Sequence, residues 1–260
     1  MTASKLAYFK SGNGQHKLLI FHGFGQNHSI FNEYLTLLAD EFTCYSFDIY
    51  YHGDSVREDN RLNPNEWKKS ISEILMTENI SSFSLLSFSL GGRFCIATLI
   101  AFPKQIDQMI LLAPDGIYQS VWFKIATAPV GNQIFKFLMN NEGTFDRWLE
   151  LLEKSRLASH SIVKFARKEL STSKSRQQVY KTWTYFKGLQ YSNKEIRKTF
   201  SNFAGQIHVI LGAMDTIVPI ERIETKISGI PHVKIHIIAA KHNHMIVVGK
   251  LLVSSLLKRG

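Results

Sequence analysis

Residues 81–101 read SSFSLLSFSLGGRFCIATLIA, and this stretch decides the fold class. Its first part, Ser81 to Leu86, is rich in apolar residues and predicts a buried strand. Its last part, Gly91 to Ala101, is long and apolar enough to predict a buried helix. Only a short turn, Ser87 to Leu90, separates the two, and a buried strand that leads directly into a helix is typical of α/β proteins.

Similar apolar runs recur along the chain, and we interpret each of them as a buried strand. Helical patterns separate several of these runs, which predicts a mostly parallel central sheet flanked by helices. A short segment, Leu6 to Phe9, is expected to form an edge hairpin with the strand that follows it. The other predicted strands are Lys17 to Phe21, Thr43 to Phe47, Gln108 to Leu112, Gln206 to Leu211 and Val233 to Ile238, and the other predicted helices are Ile30 to Ala39, Asn65 to Glu78 and Ile220 to Ser228.

The alternation of strands and helices stops between Pro114 and Gly205, where the pattern is helical and bulky aromatic residues are frequent. We therefore predict an α/β core formed by residues 1–116 and 205–260. Residues 117–204 are predicted to form a helical insertion in this core.

The formal net charge of +10 is concentrated in the insertion. Residues 117–200 contain 15 Lys and Arg against 6 Asp and Glu, an excess of +9, whereas the rest of the chain has 16 against 15. Solvated helix faces are one interpretation of this excess, and a surface that attracts anions is the other. The aromatic residues stand at helical spacing and no nucleic-acid motif accompanies them, so we do not predict a nucleic-acid partner.

Several classes of protein are excluded by motif and composition. The two cysteines, Cys44 and Cys95, lie in apolar runs and are expected to be buried free thiols. No phosphate-binding glycine motif follows the first strand, so no nucleotide cofactor is expected. His242 and His244 have no third ligand at a characteristic spacing, so no metal site is expected. Because no segment has the length of a membrane span and no secretory signal is present, we expect a cytoplasmic protein.

Ser89 lies at the centre of the turn between the predicted strand and helix. The small residues Gly91 and Gly92 allow the two backbones to approach closely, and the N–H of Leu90 is available to a developing negative charge. The stretch resembles the nucleophile elbow of the α/β-hydrolase fold superfamily, Gly-x-Ser-x-Gly, except that Ser87 replaces the first glycine. The resemblance implies that Ser89 is the nucleophile of an acyl-transfer or hydrolysis reaction.

Two further strand ends extend the resemblance. His22-Gly23-Phe24 is similar to the His-Gly motif of the family, which implies that Phe24 N–H pairs with Leu90 N–H in an oxyanion hole. His22 is then expected to orient this loop rather than to act as a base. Residues 48–55 resemble the family's Asp-x-x-x-x-Gly-x-Ser segment, which is structural.

The same resemblance assigns the acid. Residues 212–219, GAMDTIVP, are similar to the family's Gly-x-x-Asp-x-x-Val-Pro signature, so Asp215 is the expected acid. Asp115 stays an alternative, because some members of the family carry the acid after the corresponding earlier strand. Its other interpretation is a turn residue before glycine.

Two histidines compete for the role of the base, because both His242 and His244 follow the last predicted strand. The family usually has Gly-His here, where glycine tolerates a positive φ. Asparagine is among the next most tolerant residues, so Asn243-His244 favours His244 as the base. His242 stays open as the alternative.

The resemblance covers the predicted core and implies an α/β-hydrolase fold with the insertion as a helical cap. It implies a serine hydrolase that forms an acyl-enzyme with a small-molecule ester or thioester, without a cofactor. The charge of the insertion favours an anionic substrate. A catalytically silent binding module or receptor stays open because of Ser87 and the missing glycine before His244. A member of the family that cleaves carbon–carbon bonds or uses peroxide is a further alternative.

Overall fold

A computed structural model describes residues 4–155 and 160–258 of the chain, which form a seven-stranded sheet. The strands are β1 (Tyr8–Ser11), β2 (His16–Phe21), β3 (Phe42–Phe47), β4 (Phe83–Phe88), β5 (Ile106–Leu112), β6 (Gln206–Gly212) and β7 (Val233–Ile238). Their order is β1-β3-β2-β4-β5-β6-β7, and all neighbours are parallel except β1 and β3. This arrangement confirms the predicted mostly parallel sheet.

The predicted edge hairpin is wrong in its partner. β1 does lie at the edge of the sheet, but it pairs with β3, with Tyr8 opposite Phe47. β2 is not available to β1 because it lies between β3 and β4 and pairs with both. The connection after β1 therefore carries the chain past β3 into the middle of the sheet.

Helices flank the sheet, and six of the described helices follow one another along the chain between β5 and β6. All four helices predicted next to the strands lie within two residues of their expected bounds, and none of the described helices is long and apolar enough to cross a membrane. The last helix follows the final strand and was not predicted, because its sequence is apolar almost throughout. The helices are α1 (Asn32–Leu38), α2 (Pro64–Thr77), α3 (Gly91–Ala101), α4 (Val121–Thr127), α5 (Pro129–Asn140), α6 (Glu142–Lys154), α7 (His160–Glu169), α8 (Ser173–Tyr185), α9 (Asn193–Asn202), α10 (Ile220–Ile227) and α11 (Met245–Leu257).

The chain divides into two compact units. The first comprises the chain up to Glu58, Leu62–Tyr118 and the part from Leu189 onward, and the second comprises Asp59–Arg61 and Gln119–Gly188. The predicted insertion of residues 117–204 is therefore longer than the second unit, because α9 belongs to the first. α9 packs against α3 and α10 and is tied there by a hydrogen bond from Arg197 to the carbonyl of Lys226 at 2.9 Å.

Aromatic side chains fix α3 on the sheet. The rings of Trp67 and Phe94 lie 4.9 Å apart, and both rings also contact Phe21 at the end of β2. The indole N–H of Trp67 donates to the hydroxyl of Thr98 at 3.0 Å, so this buried polar group is satisfied. The N-terminus of α3 is thereby held next to the ends of β2 and β4.

Gly91 is expected to tolerate no side chain, because a Cβ atom there would lie 2.2 Å from the carbonyl oxygen of Phe21. Backbone cannot move aside cheaply, so we expect Gly91→Ala to lower the free energy of unfolding by about 2 kcal/mol or more, measured by urea denaturation. Gly143→Ala in α6 is the matched control, because a Cβ there meets nothing within 4 Å and alanine favours a helix. Equal effects of the two substitutions would contradict this packing argument.

Candidate active site

Ser89 lies between the end of β4 and the beginning of α3, in a backbone conformation that is rare for serine. Its φ is +49°, in the left-handed region that strains a residue with a Cβ atom. Three hydrogen bonds hold this conformation: Ser89 N–H donates to the carbonyl of Leu112 at 2.9 Å, and Ser89 C=O accepts from Gly92 N–H at 2.9 Å and Asp115 N–H at 2.8 Å. The turn therefore fixes the Ser89 side chain on a rigid backbone.

The imidazole of His242 lies between Ser89 and Asp215. Its Nε2 is 3.0 Å from the Ser89 hydroxyl oxygen, and its Nδ1 is 2.7 Å from Oδ2 of Asp215. A carboxylate only accepts hydrogen bonds, so Nδ1 carries the proton and the lone pair of Nε2 faces the Ser89 hydroxyl. The ring also packs on Phe88, with the centroids 5.1 Å apart. A hydroxyl, an imidazole and a carboxylate linked in this way can serve as nucleophile, base and orienting acid.

The carboxylate of Asp215 is held from both sides. Oδ1 accepts the backbone N–H groups of Ile217 at 2.8 Å and Val218 at 2.9 Å, which leaves Oδ2 to His242. The residue is buried, so these donors replace the water that the carboxylate lost on folding. Asp215 is therefore presented to the imidazole in one orientation.

The structure corrects the expectation that His244 contacts Ser89 and Asp215, because His242 takes that place. His244 is exposed. The alternative acid, Asp115, forms an ion pair with the buried guanidinium of Arg93 at 2.5 Å. Asp115 is thus occupied by a different partner.

Among the described residues, no hydrogen-bond acceptor is found for the backbone N–H groups of Phe24 and Leu90. They belong to the two segments from which the sequence predicts an oxyanion hole. The loop that carries Phe24 is held by Gln26, whose side-chain oxygen accepts the N–H of Gly23 at 3.0 Å. Sequence reasoning missed Gln26, since no local motif distinguishes it from an ordinary loop residue.

His22 is buried next to the same loop and bonds to backbone on both sides of its ring. Nε2 accepts the N–H of Ile49 at 3.1 Å, so Nδ1 carries the proton and donates to the carbonyl of Gly23 at 2.6 Å. Burial, together with the neighbouring His52, lowers the pKa of His22 to about 3. His22 is thus a neutral residue whose hydrogen bonds orient the loop.

Asp48 and His28 form a separate hydrogen-bonded group. The carboxylate of Asp48 accepts the backbone N–H of His28 at 2.7 Å, its ring Nδ1 at 2.9 Å and the N–H of Asp54 at 2.9 Å. Burial acts to raise the pKa of Asp48, but these donors outweigh it and hold the pKa below its ordinary value. These contacts tie together the loops after β2 and β3.

His52 is expected to make stability depend on pH. Burial lowers the pKa of His52 to about 4, whereas a histidine in an unfolded chain titrates near pH 6.5. Below pH 6.5 the unfolded chain takes up a proton that the native state does not, so the free energy of unfolding falls as pH falls toward 4. Between pH 7 and pH 5, we expect wild type to lose about 2 kcal/mol more than His52→Gln in urea titrations.

The exposed His244 supplies the control for this pH experiment. His244→Gln should keep the wild-type dependence of stability on pH, even though it also removes one histidine. The same dependence in His52→Gln and wild type would show that burial of His52 does not control it.

A match to a known family shows to which family the chain belongs. The model of the family described as the alpha/beta hydrolase fold matches residues 17–248, which is most of the chain. The chain belongs to this family. The sequence resemblance to α/β-hydrolases is thus confirmed, including the predicted fold class.

Solved structures and curated relatives agree with the family at low identity. A hydrolase from Pseudomonas aeruginosa PA01 superposes with a TM-score of 0.69 at 17% identity, covering 98% of this chain and 94% of that one. A meta-cleavage product hydrolase from Pseudomonas fluorescens IP01 gives a TM-score of 0.67 at 16% identity, covering 98% and 95%. Both solved structures share the fold of this α/β-hydrolase.

Curated relatives match over part of their length. An uncharacterized protein of Mycobacterium tuberculosis is 28% identical over 134 residues, which cover 51% of this chain and 39% of the relative. A pimeloyl-[acyl-carrier protein] methyl ester esterase of Wigglesworthia glossinidia brevipalpis is 23% identical over 133 residues, which cover 50% of this chain and 49% of the relative. The matched regions thus span half or less of these relatives.

Proposed function

We propose that this α/β-hydrolase cleaves a carboxylic ester or thioester of a small molecule through an acyl-enzyme on Ser89. The observation that carries the proposal is the His242 imidazole, which is hydrogen-bonded to Asp215 through one nitrogen and to the Ser89 hydroxyl through the other. A serine hydroxyl is a weak nucleophile until a base removes its proton, and this geometry supplies that base.

In the first step, Ser89 Oγ attacks the carbonyl carbon of the substrate while its proton passes to Nε2 of His242. Asp215 stabilises the resulting imidazolium through Nδ1–H. The unpaired N–H groups of Phe24 and Leu90 would bind the oxyanion, and removal of one such donor costs about 3–4 kcal/mol in a comparable enzyme. The imidazolium then protonates the leaving alcohol or thiol, and the acyl-enzyme remains.

In the second step, water replaces the alcohol or thiol. Nε2 of His242 takes a proton from the attacking water, the same two N–H groups bind the new oxyanion, and the proton returns to Ser89 Oγ as the acyl bond breaks. The products are a carboxylic acid and the free enzyme. No step requires a metal or an organic cofactor.

The names of two similar proteins support hydrolysis at a carbonyl group, and one of them names an ester. One relative is named a pimeloyl-[acyl-carrier protein] methyl ester esterase, and another, from Mesorhizobium japonicum, a 2-(acetamidomethylene)succinate hydrolase. Both names describe hydrolysis, and both substrates carry a carbonyl group. We further propose that the second unit acts as a cap that selects the substrate and that its basic charge favours anionic substrates.

Covalent labelling with a fluorophosphonate tests the nucleophile without knowledge of the substrate. We expect one adduct on native protein, located at Ser89 by peptide mass spectrometry and absent in Ser89→Ala. Ser87→Ala is the matched control, because Ser87 is buried in β4 two residues before Ser89 and its hydroxyl has no role in the proposed reaction. An adduct that persists in Ser89→Ala, or no adduct on folded wild type, would overturn the proposal.

The same protein distinguishes the remaining alternatives. A chain that is folded but never labelled would be the catalytically silent binding module. A labelled chain that cleaves diketones but neither esters nor thioesters would be a carbon–carbon bond hydrolase. A substrate panel of p-nitrophenyl esters, acyl thioesters and diketones separates these outcomes.

A further inference from the structure

Helices α4 and α5 in the second unit expose a run of large apolar side chains. Each of these side chains is between 53% and 71% exposed, whereas aromatic residues on the opposite side of the same helices are buried. Soluble helices normally place polar residues toward water, so an exposed apolar face of this kind indicates a binding surface. This surface, the α4–α5 face, consists of Val121, Ile125, Val130, Ile134 and Phe137.

The face is continuous across the junction of the two helices. Gly131 packs so closely on α4 that a Cβ atom there would lie 1.9 Å from the carbonyl oxygen of Ile125 and 3.6 Å from its Cγ2. Val130 and Ile134 stand one residue before and one turn after this contact. The apolar residues of α4 and α5 therefore adjoin each other, and Phe137 extends the row by a further turn.

Positive charge accompanies the apolar residues. Lys124 and Lys136 are exposed on the same two helices, and neither lies within ion-pair distance of a carboxylate in the described chain. Residues 116–141 contain no Asp or Glu at all. Exposed apolar residues next to unpaired lysines are the pattern of helices that lie in the interface of an anionic membrane.

A second exposed apolar surface on the first unit has a different charge pattern. This α11 face consists of Val247, Val248 and Leu251, and the lysine among them, Lys250, is paired with Glu33. The α11 face therefore matches the α4–α5 face in apolar exposure but not in free positive charge. It provides an internal control for nonspecific hydrophobic binding.

We propose that the α4–α5 face binds the surface of an anionic phospholipid bilayer. Val130, Ile134 and Phe137 would enter the boundary between headgroups and acyl chains, and the two lysines would contact the anionic headgroups. A second copy of the chain fits this face less well, because symmetric contact would bring together two copies of a segment, residues 116–141, that contains lysines and no Asp or Glu. The inference concerns where the protein acts and is independent of the proposed chemistry at Ser89.

Vesicle co-sedimentation tests the proposal with the full chain. We expect binding to vesicles of equimolar phosphatidylcholine and phosphatidylglycerol, at least about tenfold stronger at low salt than binding to phosphatidylcholine alone. Ile134→Ser combined with Phe137→Ser should weaken binding to the mixed vesicles at least about tenfold. Val247→Ser combined with Leu251→Ser on the α11 face should leave it unchanged.

A variant that removes only positive charge tests the proposal independently, in case the serine variants do not fold. Lys124→Gln combined with Lys136→Gln keeps every apolar contact and should weaken binding to the mixed vesicles about tenfold while leaving binding to phosphatidylcholine unchanged. The lysine variant should keep the thermal unfolding midpoint of wild type, so a loss of vesicle binding is not a loss of fold. If labelling at Ser89 fails but vesicle binding behaves as described, only the proposed chemistry is wrong.

Three results would overturn the membrane proposal. The first is equal binding to neutral and anionic vesicles, or none to either. The second is equal loss of binding in the α4–α5 and α11 variants. The third is a concentration-dependent dimer, measured by analytical ultracentrifugation, that the Ile134 and Phe137 substitutions dissociate, since a second copy of the chain would then cover the face.

Discussion

His242→Gln is expected to slow the labelling of Ser89 by a fluorophosphonate by about 10⁴-fold or more. Among the described residues, the imidazole of His242 is the only one within hydrogen-bond distance of the Ser89 hydroxyl, at 3.0 Å. Glutamine at this position has no nitrogen that can take the proton, so attack would depend on the small fraction of spontaneously ionised serine. The second-order labelling rate, measured by gel fluorescence over time, gives the effect without a known substrate.

His244→Gln is the matched control for this substitution, because it changes the same residue type two positions along the chain. His244 is exposed, so its replacement should leave both the labelling rate and the thermal unfolding midpoint near those of wild type. If His244→Gln lost labelling and His242→Gln kept it, the assignment of the base would be reversed.

The sequence was insufficient to predict which of these two histidines contacts Ser89 and Asp215. Preference for His244 depended on a residue before the base that tolerates a positive φ. In the structure Lys241, which precedes His242, is extended with φ at −85°, so no such tolerance is needed. His242 to His244 then form a turn of 3₁₀-helix, where residues two apart point in different directions. Backbone direction after the last strand is a tertiary property that residue preferences do not determine.

Other parts of the fold and the candidate site were more accessible to sequence reasoning. The strand before Ser89 is rich in apolar residues and the helix after it is a long apolar segment, and Gly91 is required by close backbone contact with Phe21. Asp215 could be proposed because a strand end and a local motif coincide there. The partner of β1 could not be predicted, since it depends on which surfaces meet in the folded chain.

Asp215→Asn is expected to slow labelling of Ser89 by about 10⁴-fold while the protein stays folded. Oδ1 of Asp215 accepts two backbone N–H groups, so the amide of an asparagine would keep its oxygen there and turn its NH₂ toward Nδ1 of His242. An NH₂ group only donates, so the imidazole would carry its proton on Nε2 instead of Nδ1. That tautomer cannot accept the proton of Ser89, and the rate should fall without loss of the ring position.

Asp115→Asn is the control for Asp215→Asn. It removes a carboxylate near the turn at Ser89 without changing the tautomer of His242. The change removes the negative partner of the buried Arg93 guanidinium, so we expect the free energy of unfolding to fall by about 2 kcal/mol. Labelling of the remaining folded protein should stay within a few fold of wild type, because Asp115 contacts Ser89 only through backbone. The two aspartates should thus show opposite patterns: Asp215→Asn loses the reaction and keeps the fold, whereas Asp115→Asn loses stability and keeps the reaction. The reverse result would place the acid after β5.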